Sequence, residues 1–214
     1  ARPLVTTSGG GFALMGEGLS LAGVMETPVV VHLSQRPGPA TGMATRTEQA
    51  DLELALYSGH GEFPRAIYAP GSIESAFSLT QEAFRVALKY QTPAIVLTDQ
   101  YFVNSFYNVR PDDLFFSEPP SPVRETGEGY RRYEETASGC SPFGVPGWGS
   151  GIVGADSHEH DEVGHVYENF KLRKRMQEKR MRKLEGMREE ALAPKLYGAD
   201  EFSDLVLCWG STIP

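Results

Sequence analysis

Four apolar, β-rich runs separated by helical stretches constrain this chain more than any other feature. They are Leu4–Thr7, Pro28–Leu33, Arg65–Ala69 and Pro93–Thr98. Each is too short for a helix of its own, and runs such as Val29-Val30-Val31 favour strands. Between them, Phe12–Glu26 is rich in small residues and suits a buried helix. Thr47–Tyr57 and Ile73–Tyr90 also read as helices. In the last, Ile73, Phe77, Phe84, Ala87 and Leu88 recur at helical spacing behind Ser72, a good N-cap. Strands alternating with helices through short turns predict a parallel, doubly wound α/β sheet over residues 1–104.

The rest of the chain differs in character. Residues 105–169 are punctuated by Pro111, Pro119, Pro120, Pro122, Pro142 and Pro146, with glycines clustered at 144–154. No period is visible there, so an extended connector on another surface is expected. Residues 170–191 form a long helix with nine basic and four acidic residues, although the whole chain carries a net charge of −8. Leu172, Met176, Leu184 and Met187 make a narrow stripe interrupted by Arg180. The helix reads either as a basic docking surface for an acidic partner or neighbouring domain, or as a solvated helix with a one-sided contact. Asp204–Trp209 reads as a final strand that needs neighbours. With Leu4–Thr7 opening the chain, the sequence reads as part of a longer polypeptide or as one subunit of a tight complex.

Composition excludes several classes. The acidic balance argues against a nucleic-acid partner. No apolar run approaches the roughly 18–20 residues needed to span a bilayer, which argues against a membrane protein. Cys140 and Cys208 are far apart and cannot alone hold an iron–sulfur cluster or a cysteine-rich zinc site. No disulfide framework is indicated, which favours a reducing cytoplasm.

Three segments have the residue types for chemistry. Thr6-Thr7-Ser8-Gly9-Gly10-Gly11-Phe12 lies between a strand and a helix. Its glycines serve equally for a tight turn and for close approach of backbone to a ligand. It matches neither the dinucleotide fingerprint nor a P-loop. Ser34–Gly42 leaves a strand end, where open α/β sheets bind ligands. Arg36 is its only cation. Its guanidinium could grip a substrate carboxylate by two parallel hydrogen bonds, or brace the loop against carbonyls. Asp156–His165 gathers His158, His160 and His165 among four carboxylates. The spacing fits no compact ligand set, so a polar loop is expected and no metal is assigned there. His32, within an apolar strand, reads as a hydrogen-bonded core histidine.

Together these residues resemble a known family. Thr7-Ser8-Gly9-Gly10-Gly11-Phe12-Ala13-Leu14-Met15-Gly16-Glu17-Gly18 is similar to the T-S-G-x-G-x-x-L-M-x-E-G stretch of 2-oxoacid:ferredoxin oxidoreductase alpha subunits. Gln35–Gly42 with Thr45–Leu52 resembles Q-R-x-G-P-[SA]-T-G-x-x-T-[RK]-T-E-Q-x-D-L of the same family. Gly59–Arg65, Leu97–Tyr101, Asp156–His165 and Glu178–Glu185 match further motifs in order. The resemblance is strongest to the 2-oxoglutarate type.

The resemblance implies a pyrimidine-binding domain of the thiamine diphosphate enzymes over 1–104. A connector with the basic helix would span 105–195, and the first strand of a transketolase C-terminal-like domain would occupy 196–214. It implies oxidative, coenzyme A-dependent decarboxylation of a 2-oxoacid to an acyl-CoA, with electrons passed to ferredoxin. Arg36 matches the family arginine that holds the substrate carboxylate. Thr7, Ser8, Gly9 and Gly10 would line the cofactor side. Thiamine diphosphate would be shared with a beta subunit that carries the Mg²⁺, diphosphate and iron–sulfur ligands. The family's Y-P-x-T-P loop and the glutamate that activates the aminopyrimidine have no counterpart in these residues. The chain alone is therefore expected to be inactive, with no catalytic residue of its own. The alternative is a non-catalytic assembly or interaction subunit that has kept the fold.

Overall fold

The computed structural model describes residues 2–119 and 121–213; Ala1 and Pro214 at the ends of the sequence reading, and Pro120 among its prolines, lie outside the described residues. Its centre is a four-stranded sheet: β1 (Leu4–Ser8), β2 (Val29–Gln35), β3 (Ala66–Tyr68) and β4 (Pro93–Asp99). The order is β1-β2-β4-β3 and every pairing is parallel. The parallel α/β expectation holds.

Side-chain alternation explains the layering. Val31, Leu33, Ile95 and Leu97 point to one face and pack with Phe12, Leu19 and Ala55. These come from α1 (Gly9–Ala13), α2 (Gly16–Val24) and α3 (Leu52–Tyr57). Val30, Ala94 and Val96 point to the other face, against Ala83 and Ala87 of α4 (Ile73–Tyr90). A parallel sheet must be covered on both faces, and the continuous apolar runs of β2 and β4 are what that requires. Ser72 caps α4 as expected: its hydroxyl accepts from Ser75 N–H at 3.2 Å, while Ser75 Oγ accepts from Ser72 N–H at 2.9 Å.

Four expectations need correction. The helix over Phe12–Glu26 is two helices, broken at Leu14–Met15. Thr47–Tyr57 is helical only from Leu52, because Gln49 and Asp51 are held by other elements. The run 105–169 is not structureless. It contains β5 (Val123–Thr126) and β6 (Phe143–Gly149), paired in parallel, and buries Arg132, Tyr133 and His160. Asp204–Trp209 forms no strand: no neighbouring strand pairs with it among the described residues, and Leu205, Val206 and Leu207 stand exposed. After it, a 3₁₀ turn (Gly210–Thr212) docks at the end of β4, where Ser211 Oγ donates to Asp99 Oδ2 at 2.5 Å.

The basic helix α6 (Phe170–Glu189) docks within its own chain, and its buried face is cationic. Lys179 and Lys183, both fully buried, contact Glu26 Oε1 and Oε2 at 2.5 and 2.6 Å. Arg180 donates to both oxygens of Glu159. Glu26 ends α2 and Gln91 ends α4, each in the left-handed region. Arg132 ties the two ends, donating to Glu26 O at 2.7 Å and to Gln91 Oε1 at 2.8 Å. Both helix ends lie beside the amino ends of the strands that follow them. Arg132 and α6 therefore sit at the amino edge of the sheet, while the Gly210–Thr212 turn docks at the carboxyl end of β4.

Candidate functional site

β1 and β2 run in parallel register, with Ser8 opposite Ser34. Their carboxyl ends deliver two loops to the same edge. Arg36 reaches back across this gap. Its Nη2 donates to Ser8 Oγ at 3.0 Å and its Nη1 to Ala44 O at 3.3 Å. The structure thus brings Arg36 together with Thr7, Ser8, Gly9 and Gly10. Ser8 occupies the N-cap position of α1 but makes no capping bond; its hydroxyl accepts from Arg36 instead. Arg36 is half-buried, and no carboxylate neutralises it among the described residues.

Gly10 is exposed, and only the Ala40 carbonyl would approach a side chain there, at 3.6 Å. The backbone at Gly10 is open to a flat ligand, the cradle a pyrimidine ring would need. Gly42 must be glycine: its φ is +50°, and a Cβ would meet the Pro37 carbonyl at 1.9 Å. This tight return folds the Arg36 loop over its own base.

Beneath the loops lies a polar layer that the sequence reading did not single out. Gln35, fully buried, donates to Thr98 O at 3.1 Å and accepts from Asp51 N–H at 2.9 Å. Asp99, also buried, accepts from Phe102 N–H at 2.9 Å and from Gln49 Nε2 at 3.2 Å. Gln49 also donates to Trp209 O at 2.9 Å. Burial raises the Asp51 pKa, and the neighbouring Glu48 charge raises it further. The only signal was position, because Gln35, Gln49 and Asp51 all sit inside the motif that begins at Gln35. His32 is indeed hydrogen-bonded: it bridges Thr6 Oγ1 and Thr98 Oγ1, each at 2.8 Å, and burial lowers its pKa.

The histidine segment lies away from this edge. His158 Nδ1 pairs with Asp156 at 2.7 Å, Asp161 caps its own turn through Val163 and His165 N–H, and His160 is buried beside Tyr133. No three histidine, cysteine or acidic residues gather to hold a metal among the described residues. At the β1/β2 edge, the open backbone of Gly10 and an Arg36 without a carboxylate partner among the described residues leave room for a ligand.

The chain resembles known proteins over nearly its whole length. A family model described as pyruvate flavodoxin/ferredoxin oxidoreductase, thiamine diphosphate-binding, matches residues 1–179. The chain is 38% identical over 217 residues to 2-oxoacid:ferredoxin oxidoreductase 1, subunit alpha, of Sulfurisphaera tokodaii, covering 98% of this chain and 34% of that protein. It is 34% identical over 225 residues to 2-oxoglutarate oxidoreductase subunit KorA of Mycobacterium tuberculosis, covering 99% and 33%. It therefore spans about a third of the length of these relatives. A solved 2-oxoglutarate:ferredoxin oxidoreductase from Magnetococcus marinus, with 2-oxoglutarate, coenzyme A and succinyl-CoA bound, superposes with a TM-score of 0.79 at 33% identity. That match covers 94% of this chain and 35% of the other.

Proposed function

From the premise that this chain belongs to the family of 2-oxoacid:ferredoxin oxidoreductase alpha subunits, we propose that it supplies the pyrimidine-side half of a thiamine diphosphate site. The reaction is oxidative decarboxylation of a 2-oxoacid, 2-oxoglutarate being favoured, to an acyl-CoA with reduction of ferredoxin. The observation that carries the reading is the juxtaposition of Arg36 with the Thr7–Gly10 turn. Arg36 holds the 2-oxoacid carboxylate in its remaining N–H fork, while Ser8 fixes the guanidinium plane. Gly10 lets the backbone approach the pyrimidine ring. Thiamine diphosphate held there would supply nucleophilic carbanion chemistry at the 2-oxo carbon.

A beta subunit carries the diphosphate, Mg²⁺ and iron–sulfur ligands in this reading. Leu14, Met43 and Tyr101 stand exposed on the segments that follow β1, β2 and β4, an apolar rim suited to such a contact. Residues 1–104 are the pyrimidine-binding part and 105–195 a segment wrapped on its amino edge, with 196–214 leading to a further domain. A cytoplasmic location belongs to the same proposal; among the described residues no helix is long and apolar enough to cross a membrane. Arg36 also braces its loop through Ala44 O, but its charge has no carboxylate partner among the described residues, and that favours this reading over a non-catalytic assembly subunit. Steady-state kinetics of Arg36→Ala in the assembled enzyme test it, and an unchanged kcat/KM would return Arg36 to a structural role.

A further inference from the structure

Asp51 has no role in the reading above, yet it touches the centre of the site. A Cβ built on Gly9 would lie 2.5 Å from Asp51 Oδ2 and 2.9 Å from Oδ1. Such separations are well inside van der Waals contact, so the Asp51 carboxyl group leaves no room for a side chain at Gly9. Asp51 is fixed in turn. Its N–H donates to Gln35 Oε1, its carbonyl accepts from Ala55 N–H at 2.8 Å to open α3, and Gln35 is bonded to β4. Gln35 immediately precedes Arg36. One buried glutamine thus fixes both the base of the Arg36 loop and the backbone of Asp51.

The carboxyl group is not there for hydrogen bonding within the chain. Asp51 Oδ2 is buried without a partner, and Asp51 makes no capping bond to α3 despite its N-cap position. A carboxylate oxygen buried without a partner is costly, so a purely structural position would favour an apolar residue. What is fixed is the Asp51 backbone, from which a short side chain stands beside Gly9, the first residue of α1.

We propose that Asp51 is a positioning residue of this site, the stop that sets where the Ser8–Gly10 turn sits relative to Arg36. The role rests on the thiamine diphosphate reading. Without the stop, the turn settles toward α3 and Ser8 Oγ moves away from the Arg36 guanidinium. With a methyl group on Gly9, the turn is pushed outward into the cofactor's space.

The test is a two-residue cycle in the assembled oxidoreductase, with Gly9→Ala, Asp51→Ala, their combination, and Asp51→Asn. Thiamine diphosphate affinity, 2-oxoacid KM and melting midpoint are each measured. Overpacking in Gly9→Ala is expected to weaken cofactor binding by about ten- to a hundred-fold. Asp51→Ala alone should raise KM several-fold with little change in melting midpoint. The combination should recover most of the cofactor affinity, because the removed carboxyl leaves room for the methyl. Asp51→Asn, of equal shape, should stay within about two-fold of wild type in both constants. Additive losses in the combined variant, or an Asp51→Ala defect confined to the melting midpoint, would overturn the proposal. If the wild-type complex binds no thiamine diphosphate, the functional reading fails instead. The contact is then scored by melting alone: a combined variant more stable than Gly9→Ala supports it, and one less stable than either single variant overturns it.

Discussion

Arg36 Nη2 lies 3.0 Å from Ser8 Oγ, joining the loop after β2 to the turn after β1 across neighbouring strand ends. With the Nη1–Ala44 O bond, it spends two N–H groups on orientation and leaves three for a ligand. Arg36→Ala is expected to cost about 2–4 kcal/mol in kcat/KM for the 2-oxoacid, mostly in KM. Thiamine diphosphate affinity should be nearly unchanged. Arg36→Lys should recover only part, because a point charge cannot reproduce the fork. Kinetics with the 2-oxoacid varied, alongside cofactor titration, separate these effects.

Ser8→Ala leaves the guanidinium charged but unbraced. The expected loss is smaller than for Arg36→Ala, about 1 kcal/mol. It should vanish in the Arg36→Ala background, because the hydroxyl then has nothing to orient. A double-mutant cycle with no coupling between the two positions would contradict this.

At the opposite edge, Glu26 is the single carboxylate between two buried ammonium groups. Glu26→Gln leaves Lys179 and Lys183 buried without a counterion, and about 3–5 kcal/mol of stability should be lost. Denaturant unfolding measures it. Replacing Glu26, Lys179 and Lys183 together by apolar residues should be far milder than Glu26→Gln alone.

The same cluster sets the pH dependence. Burial alone would raise the Glu26 pKa, but Lys183 and Lys179 outweigh it and hold it at about 2 instead of 4.5. Its stabilisation is therefore present above pH 4.5 and lost as pH falls toward 2. Burial pushes Lys179 down to about 8 from 10.5, despite the opposing Glu26 charge. The folded state thus releases this proton more readily than the unfolded chain. Stability should rise between pH 8 and 10.5 as the buried charge is relieved. Lys179→Met should flatten the alkaline limb, and Glu26→Gln the acid one.

Gly71 faces Gly210: a Cβ on Gly71 would lie 2.6 Å from Gly210 O. Gly71→Val should displace the docked turn and break the Ser211–Asp99 and Gln49–Trp209 bonds. Limited proteolysis within 203–211 should accelerate, while α4 and β4 remain protected.

The sheet was legible because each strand is a contiguous apolar run and α4 is marked by both its cap and its period. Arg36 and the Thr7–Gly10 turn were legible together because parallel strands present their carboxyl ends to one side. The polar layer was not. Gln35 and Asp51 are polar by type and buried only because β2, β4 and α3 converge, which no local pattern encodes. For the same reason Lys179, Arg180 and Lys183 left both a docking surface and a solvated face open. Glu26, the partner of the two lysines, lies 153 residues from Lys179, and a periodicity argument cannot see it. The β5–β6 pair also escaped, since Pro146 and the glycines at 144, 147 and 149 look like loop.

In the proposed function this chain provides one half of a shared cofactor site. Calorimetric titration of thiamine diphosphate with Mg²⁺ tests it directly, with this chain alone and with the chain assembled with its beta subunit. No measurable binding to the chain alone, and micromolar or tighter binding to the assembly, are expected. Micromolar binding to the isolated chain, or none to the assembly, would contradict it.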